Sequence, residues 1–504
     1  MIAVVSVDAL SLERTERLLA EGRMPVLAGL RERAPTQPIV DADGLELMHG
    51  AVFFTLPTGR RPAGHGRFYP FVWEPGAQRV QPDLRPIENS VWQAASDAGR
   101  RVVLIDAYEG WPAGEIDGAV MCGWQLHNRV TMRRLGAPKA LAAELRREQG
   151  GSRTLDEVYG RPSLRMLTRV EATLAAAPGR VAGAVERLVE RVQPDLVWCH
   201  LVAAHVGGHM FWDSSQVTRG RKLEEAGLGG TLDRLYELTD AALGRIVAAV
   251  GDDATLLVTC PVGMGANSSR SDLLPGMVDA VLSDGPPAAE TAPAGLWRLR
   301  GAVPTGLRAN IARALPDRLA LRLASGLSTS GAWSETEAFV PPAEPVGAVQ
   351  LNLRGRERDG CVDPADVPAL VTRLREGLCS FTDRPGGGRA VTAVHESRAA
   401  VGDGPEASRY PDLLVEWSTT SATGVDAAVS PEHGVVHRPG GAGGATGRSA
   451  NHVSGEAWVL AVPGRNAAPV GDGSWRHVDI APTVASVLGV EFADVDGVAR
   501  LRPV

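Results

Sequence analysis

Short apolar runs that alternate with amphipathic helical stretches dominate the pattern of this chain. The apolar runs cover residues 2–7, 101–105, 195–201, 255–258, 412–417 and 457–462. Apolar residues recur with helical spacing in residues 12–33, 166–192 and 232–250. Buried strands that alternate with covering helices are typical of βαβ units around a mostly parallel sheet. We therefore predict an α/β fold.

The composition is that of a folded globular protein with a small-molecule partner. Apolar residues make up 44% and charged residues 22% of the 504 residues, so the chain can bury a large core. The formal net charge of −7 argues against a broad basic surface for nucleic acid or an anionic membrane. Since no apolar stretch could span a bilayer and the chain begins with a strand-like run, we expect a cytoplasmic protein. The pattern favours no particular oligomeric state.

The alternating pattern is interrupted between residues 266 and 409. This stretch is rich in Pro and Gly and contains one strand-like run at 348–353 and one helical stretch at 364–378. Long stretches without the rhythm of their surroundings are often functional. We predict that residues 266–409 form an inserted cap, that 1–265 form the first part of the core, and that 410–504 complete its sheet and site.

Polar residues next to the apolar runs are the first candidates for a site, because ligands of open α/β sheets bind beyond the carboxyl ends of the strands. Asp8 follows the first run, His205 and His209 follow the run that ends at residue 201, and His452 precedes the last run. The i, i+4 spacing of His205 and His209 places both imidazoles on one face of a helix, within reach of one metal ion. A third histidine would complete a three-nitrogen site. Two simpler interpretations stay open: the spacing is incidental, or Asp8 caps a helix that begins near Ser11.

Seven segments of the chain follow the order of a known family. They are VVSVDALSLERTERLLAEGRMPVLAGLRERA, FFTLPTGRRPAGHGRFYPF, HVGGHMFW, VTCPVGMG, YPDLLVEW, RSANHVSGEAWVLAVPG and HVDIAPTVASVLGV. In these segments the chain resembles the type I phosphodiesterase/nucleotide pyrophosphatase family of the alkaline phosphatase superfamily. The segment AVQLNLRGRERDGCV also resembles the cap of a bacterial subset.

The resemblance implies a doubly wound, mostly parallel sheet of alkaline phosphatase-like type with an inserted cap domain. It also implies two metal ions, usually zinc, and a Thr or Ser that attacks a phosphoester. The chain departs from this plan. His49, ten residues before Gly59, stands where the hydroxyl nucleophile belongs, and Pro261 and Val262 stand where an Asp and a His would bind the second metal. Of that second set only Asp8 is kept.

The first metal set keeps three competent ligands at His205, His209 and His452. We therefore predict a mononuclear, histidine-rich centre, with Asp8 nearby and His49 as a fourth ligand, a nucleophile or an acid/base group. Neutral nitrogen ligands suit transition metals and disfavour magnesium and calcium. Zinc is the metal that we expect first, and iron or copper are the alternatives.

Three further residues are predicted to contact an anionic substrate. Arg67 and Arg448 lie in segments expected near the site and could hold an anionic oxygen with two hydrogen bonds. Asn352, at the start of the cap segment 352–356, is predicted to control access.

The leading hypothesis is a metal-dependent enzyme of a hydrolase superfamily that acts on a small phosphorylated or sulfated metabolite. Water activated by the metal, or His49 as a nucleophile, would replace the missing hydroxyl. The alternatives are a non-hydrolytic metalloenzyme with redox, lyase or group-transfer chemistry, and a non-catalytic binding protein.

Overall fold

The computed structural model describes residues 1–40, 48–125, 134–151, 161–283, 335–439, 448–471 and 473–504. In chain order the strands of these residues are β1 (Ile2–Ser6), β2 (Thr36–Pro38), β3 (Phe71–Glu74), β4 (Arg79–Pro82), β5 (Val102–Ile105), β6 (Gly118–Cys122), β7 (Leu135–Ala137), β8 (Leu196–His200), β9 (Thr255–Cys260), β10 (Gly263–Ala266), β11 (Ala338–Phe339), β12 (Gly347–Leu351), β13 (Thr382–Arg384), β14 (Val391–Glu396), β15 (Leu413–Trp417), β16 (Ala427–Ser430), β17 (Gly434–His437), β18 (Ala450–Val453), β19 (Trp458–Val462), β20 (Ala467–Pro469) and β21 (Leu501–Pro503). The helices are α1 (Leu12–Ala20), α2 (Pro25–Arg33), α3 (His49–Thr58), α4 (Pro62–His65), α5 (Val91–Asp97), α6 (Lys139–Gln149), α7 (Leu164–Val192), α8 (Ala203–Phe211), α9 (Thr231–Val250), α10 (Leu274–Leu282), α11 (Val367–Cys379), α12 (Ser397–Val401) and α13 (Ile480–Leu488).

Eight of these strands form a central sheet in the order β2-β19-β9-β1-β8-β5-β6-β7. The five strands from β9 to β6 run parallel. At the edges, β19 pairs antiparallel with β9, β2 antiparallel with β19, and β7 antiparallel with β6. The parallel strands start level with one another, since Ile2 lies opposite both Leu196 and Thr255. Their carboxyl ends therefore meet at one edge, and the predicted mostly parallel α/β sheet is confirmed.

Helices cover both faces of this sheet, as a doubly wound fold requires. Ala3 and Val5 of β1 belong to a core cluster that includes buried residues of α1, α2, α7 and α9. Ile2 and Val4, the alternate residues of the same strand, belong to a second cluster that includes residues of α3, α5 and α13. The period of two along a strand thus explains why residues 2–5 of β1 are all apolar.

A separate core cluster holds the inserted region together. It contains buried side chains of α10, α11, β12, β14 and β15. The strand expected at 348–353 is β12, and the helix expected at 364–378 is α11. Two further sheets, β11-β12-β15-β14 and β13-β16-β17, belong to this region, so its strands extend to His437.

The run at residues 412–417 forms a strand, but not in the central sheet. It is β15, which pairs with β12 and β14 of the inserted region. The prediction that this run belongs to the parallel core was therefore wrong, because a short buried strand has the same apolar composition in either sheet. The division of the chain at residue 409 stays a prediction, although these pairings cross it.

None of the helices in the described residues combines the length and apolar character needed to cross a membrane.

A buried ion pair ties the segment before α10 to the inserted region. The guanidinium of Arg270 is fully buried and contacts the carboxylate of Asp383 at 2.6 and 3.1 Å. It also donates to the carbonyl oxygens of Ser418 and Thr420 at 3.0 and 3.1 Å.

Replacing Asp383 with alanine should therefore destabilise the inserted region by about 3–5 kcal/mol, because a buried guanidinium would lose its counter-ion. The urea concentration at the unfolding midpoint, followed by tryptophan fluorescence, measures this loss. The control is Asp359→Ala, which removes the partner of exposed Arg358 and should leave the midpoint close to wild type. Equal midpoints for both variants would contradict the prediction.

Candidate functional site

Three histidines from two distant parts of the chain converge at the carboxyl edge of the sheet. His205 and His209 lie on α8, which begins directly after β8, and His452 lies on β18. Strand β18 pairs with β10, which follows β9, and this pairing sets Met264 opposite His452. One nitrogen from each imidazole lies within 4.8 Å of the other two. The Nε2 atoms of His205 and His452 are 2.9 Å apart.

Two glycines between the histidines allow α8 to pack tightly. A Cβ at Gly207 would lie 2.4 Å from Leu235 of α9, and a Cβ at Gly208 would lie 2.8 Å from Met264 of β10. Larger residues would push α8 away from both neighbours. The HVGGH segment thus has the i, i+4 spacing of two metal ligands and also the small residues that let α8 pack closely against α9 and β10.

A backbone contact orients His209. Its Nδ1 lies 2.9 Å from the carbonyl oxygen of Ala450, which only accepts hydrogen bonds, so Nδ1 carries the proton. Its Nε2 then carries the lone pair that could bind a metal ion. Metal-binding histidines are typically oriented by a second hydrogen bond of this kind.

The environment keeps two of the three imidazoles uncharged. Burial, followed by the charges of Arg448 and His205, holds the pKa of His209 well below its ordinary value. Burial, followed by the neighbouring histidines, does the same to the pKa of His452. Neutral imidazole is the form that binds metals, so this donor set fits a divalent transition metal.

Aromatic side chains surround His205. The Phe53 ring stacks on it with centroids 6.3 Å apart and an angle of 10° between the planes, and the Tyr108 ring lies 4.9 Å away. Tyr108 belongs to the loop after β5, in which Asp106 and Glu109 have positive φ angles of 49° and 52°. The sequence did not single out Tyr108, although its place after a strand was a usable signal.

His49 lies beside the three-histidine group but outside it. It is the first residue of α3, its ring centroid is 5.7 Å from that of His452, and its Nε2 lies 3.4 Å from Oγ of Ser454. Its Nδ1 is buried and has no hydrogen-bond partner in the described part of the chain. Burial, followed by the charge of His477, lowers the pKa of His49 to about 4, so the imidazole is neutral at pH 7.

Asp8 also lies outside the group. Its carboxylate is completely buried and contacts the hydroxyl of Ser6 and, at 3.1 Å, Nδ1 of His200. Burial opposes its ionisation, but the attraction of His200 and the hydrogen bonds bring the pKa of Asp8 below its ordinary value. The alternative that Asp8 caps α1 is wrong, because the Ser11 hydroxyl accepts the first-turn N–H of Arg14.

The positions expected for the second metal hold no ligand side chains. Pro261 and Val262 are both buried, and the carbonyl oxygen of Pro261 accepts a hydrogen bond from Nε2 of His477 at 2.6 Å. His477 and His200 thus contact the places where a second ion would be expected, and the sequence analysis placed neither residue in the site.

The two arginines predicted to bind substrate have different surroundings in the structure. Arg448 lies near the histidines and pairs with Glu344 of the inserted region at 3.4 Å. Arg67 is buried, pairs with Asp83 at 2.8 Å and packs over the ring of Phe54. Its guanidinium is therefore occupied within the protein.

Asn352 is occupied as well. Its amide donates to the carbonyl oxygen of Thr336 at 2.9 Å and accepts from the amide of Gln78 at 3.3 Å. These contacts hold a loop of the inserted region, and contact of Asn352 with substrate stays a prediction.

A groove runs between the core and the inserted region. Its lining includes aromatic and proline side chains: Phe68, Tyr69, Phe71, Trp73, Pro341, Pro342 and Pro411. The backbone of Phe68 packs against Gly50, where an added Cβ would lie 2.9 Å from the Phe68 carbonyl oxygen. The first turn of α3 thus packs against a segment that lines the groove.

Known proteins share the fold of this chain but little of its sequence. No family model and no curated protein matches it. Phosphonoacetate hydrolase from Sinorhizobium meliloti 1021, in structures with phosphonoformate and phosphonoacetate, matches 97% of this chain and 95% of its own with a TM-score of 0.50 and 15% and 14% identity. An inactive variant of murine ectonucleotide pyrophosphatase/phosphodiesterase 5 in complex with AMP matches 98% of this chain and 96% of its own with a TM-score of 0.50 and 11% identity. Both are hydrolases of the alkaline phosphatase superfamily, so the predicted alkaline phosphatase-like fold is confirmed.

Removal of any one ligand should abolish tight metal binding. We expect His205→Ala, His209→Ala and His452→Ala each to lower the affinity for zinc by more than about 100-fold, since even partners behind a ligand contribute about 10–100-fold. Competition with a chromophoric chelator measures the affinity. The matched control is His395→Ala, because His395 lies on β14 and pairs with Glu416. Full occupancy in any of the three variants would remove that residue from the ligand set.

His65 should make stability depend on pH. Burial, followed by the charges of Arg67 and Arg85, lowers its pKa to about 3, whereas an unfolded histidine has a pKa of about 6.5. Its stabilising contribution is therefore complete above pH 6.5 and is lost as the pH falls towards 3.

The variant His65→Asn, whose side-chain oxygen can accept the Arg67 N–H that Nδ1 accepts at 3.1 Å, tests this effect. It should reduce the slope of unfolding free energy against pH by up to about 1.4 kcal/mol per pH unit between pH 6 and 4. Urea unfolding across that range provides the slope, and an unchanged slope would show that His65 does not take part.

Proposed function

We propose that this protein is a metal-dependent hydrolase that cleaves a small phosphate, phosphonate or sulfate ester at a mononuclear centre formed by His205, His209 and His452. The observation that carries the proposal is the convergence of three imidazole nitrogens within 4.8 Å at the carboxyl edge of the sheet. The structures that share the fold support the substrate class, since they hold phosphonoformate, phosphonoacetate and AMP.

The donor set decides which metal the centre would take. Three neutral nitrogens suit zinc first, and iron or copper second. A metal ion held there would stabilise negative charge on a substrate oxygen during cleavage.

His49 is proposed to replace the missing hydroxyl nucleophile. Its imidazole is neutral at pH 7, so a nitrogen lone pair is available to attack phosphorus or sulfur. The new nitrogen–phosphorus or nitrogen–sulfur bond forms as the bond to the ester oxygen breaks, and the leaving alcohol takes up a proton. Water then cleaves the covalent intermediate. The position at the first turn of α3 favours this role, because helix N-termini stabilise anions.

Arg448 and the groove would hold the two ends of such a substrate. The guanidinium of Arg448 lies close enough to His209 and His452 to lower the pKa of both, so it attracts an anionic oxygen at the same place. The aromatic groove beside Gly50 suits the organic part of the ester.

Nitrophenyl esters of phosphate, phosphonate and sulfate, assayed with zinc, iron(II) or copper(II), test the proposal. We expect hydrolysis of at least one ester class by the wild-type chain and a loss of about 100-fold or more in His49→Ala. The control is again His395→Ala, which should keep wild-type activity. A covalent intermediate that is stable to alkali and labile to acid would identify a modified histidine. If no ester is cleaved while a metal is bound, the hydrolase assignment fails.

A non-hydrolytic metalloenzyme is the second candidate function. It is favoured by one observation: the residues in the places of the hydroxyl nucleophile and of the second metal ligands are His49, Pro261 and Val262. The same three nitrogens bind iron and copper. Elemental analysis of protein purified without added metal separates the candidates, since zinc supports hydrolysis and a redox-active metal supports the second.

A further inference from the structure

A buried pair, Asp8 and His200, lies behind the three histidines. The two residues end neighbouring parallel strands, and the register sets Ser6 of β1 opposite His200 of β8. The Nδ1 of His200 lies 3.1 Å from one oxygen of the Asp8 carboxylate, and the hydroxyl of Ser6 donates to the other. Both oxygens of a carboxylate with no exposed surface thus have a hydrogen-bond donor.

Trp198 determines which nitrogen of His200 carries the proton. It lies two residues before His200 on the same strand and therefore on the same face of the sheet. Its indole N–H, which can only donate, lies 3.0 Å from Nε2 of His200. Nε2 is therefore the acceptor, and the proton on Nδ1 points to Asp8. An imidazole held in this way is a fixed donor to the carboxylate.

The pair also lies next to the candidate metal site. The ring of Phe53 packs against both imidazoles, with centroids 6.2 Å from His200 and 6.3 Å from His205. A carboxylate held near a metal site attracts the cation that binds there.

The surroundings of Asp8 do not suit a second metal ion. Within the described residues, the one cluster of at least three His, Cys, Asp or Glu side chains close enough to share a metal ion is His205, His209 and His452. The nearby backbone oxygen of Pro261 is occupied by His477. The donors on Asp8 come instead from Ser6 and His200.

We propose that His200 is a positioning residue that takes the place of a second cation at Asp8. Its Nδ1–H holds the carboxylate in place behind His205, and this raises the affinity of the three-histidine group for a single metal ion. The inference rests on the metal centre of the proposed function, but not on the reaction that this centre catalyses.

Metal binding by the full chain tests the proposal without any assay of activity. Zinc affinity is measured by competition with a chromophoric chelator, and the visible absorption of the cobalt(II) form reports on the ligands. His200→Ala should weaken zinc binding by about 10–100-fold and shift the cobalt(II) bands. His200→Asn keeps a side-chain N–H at the position of Nδ1 and should bind zinc almost as well as the wild type. His395→Ala is the matched control and should change neither measurement.

Ser6→Ala, which removes the other donor to Asp8, provides a second variant if His200→Ala does not fold. It too should weaken zinc binding. Wild-type affinity and spectra in both variants would overturn the proposal, as would His200→Asn binding as weakly as His200→Ala. Two equivalents of metal on the wild-type chain would overturn it as well.

The same titrations separate this inference from the proposed function. If the wild-type chain binds one metal ion and cleaves no ester, the hydrolase assignment fails and the role of His200 stands. If the wild-type chain binds metal and the His200 variants do not differ from it, the role of His200 fails alone. If the wild-type chain binds no metal, both fail.

Discussion

The parallel pairing of β1 between β8 and β9 is the constraint on which the candidate site depends. Level pairing on both sides brings three strand ends to one edge. From that edge Asp8 follows β1, His205 is carried by α8 after β8, and β10 follows β9. Because β10 pairs with β18, His452 joins the site from a part of the chain almost 250 residues away. Backbone hydrogen bonds of the two sheets therefore bring the three candidate ligands together.

Much of the central fold could be predicted from periodicity. A strand buried on both faces gives a continuous apolar run in the sequence, and a helix that covers a sheet gives apolar residues at helical spacing. The same argument could not assign the run at 412–417 to a sheet. Its pairing with β12 and β14 depends on how the inserted region packs. The apolar composition of a strand does not indicate which strands it will pair with. Periodicity predicts elements well and their neighbours poorly.

The candidate site could be predicted where the spacing of two residues implies that they can bind the same metal ion. His205 and His209 are linked by helical geometry alone, and His452 entered through the resemblance to a family. His200 was missed, because its contact with Asp8 arises from strand order and its tautomer from Trp198. The partners of Arg67 and Asn352 could not be predicted for the same reason: Asp83 and Gln78 reach them through the fold, and substrate contact by either residue stays a prediction.

The three-histidine group contains no carboxylate, and this has a consequence for the overall charge of the centre. Carboxylate ligands cancel part of the charge of the cation that they hold, whereas neutral imidazoles cancel none. A divalent ion bound by His205, His209 and His452 would keep its full double charge, with the Arg448–Glu344 pair beside it and Asp8 behind it. Such a centre carries a surplus of positive charge in a buried place, so dianions should compete for it more effectively than monoanions of the same shape.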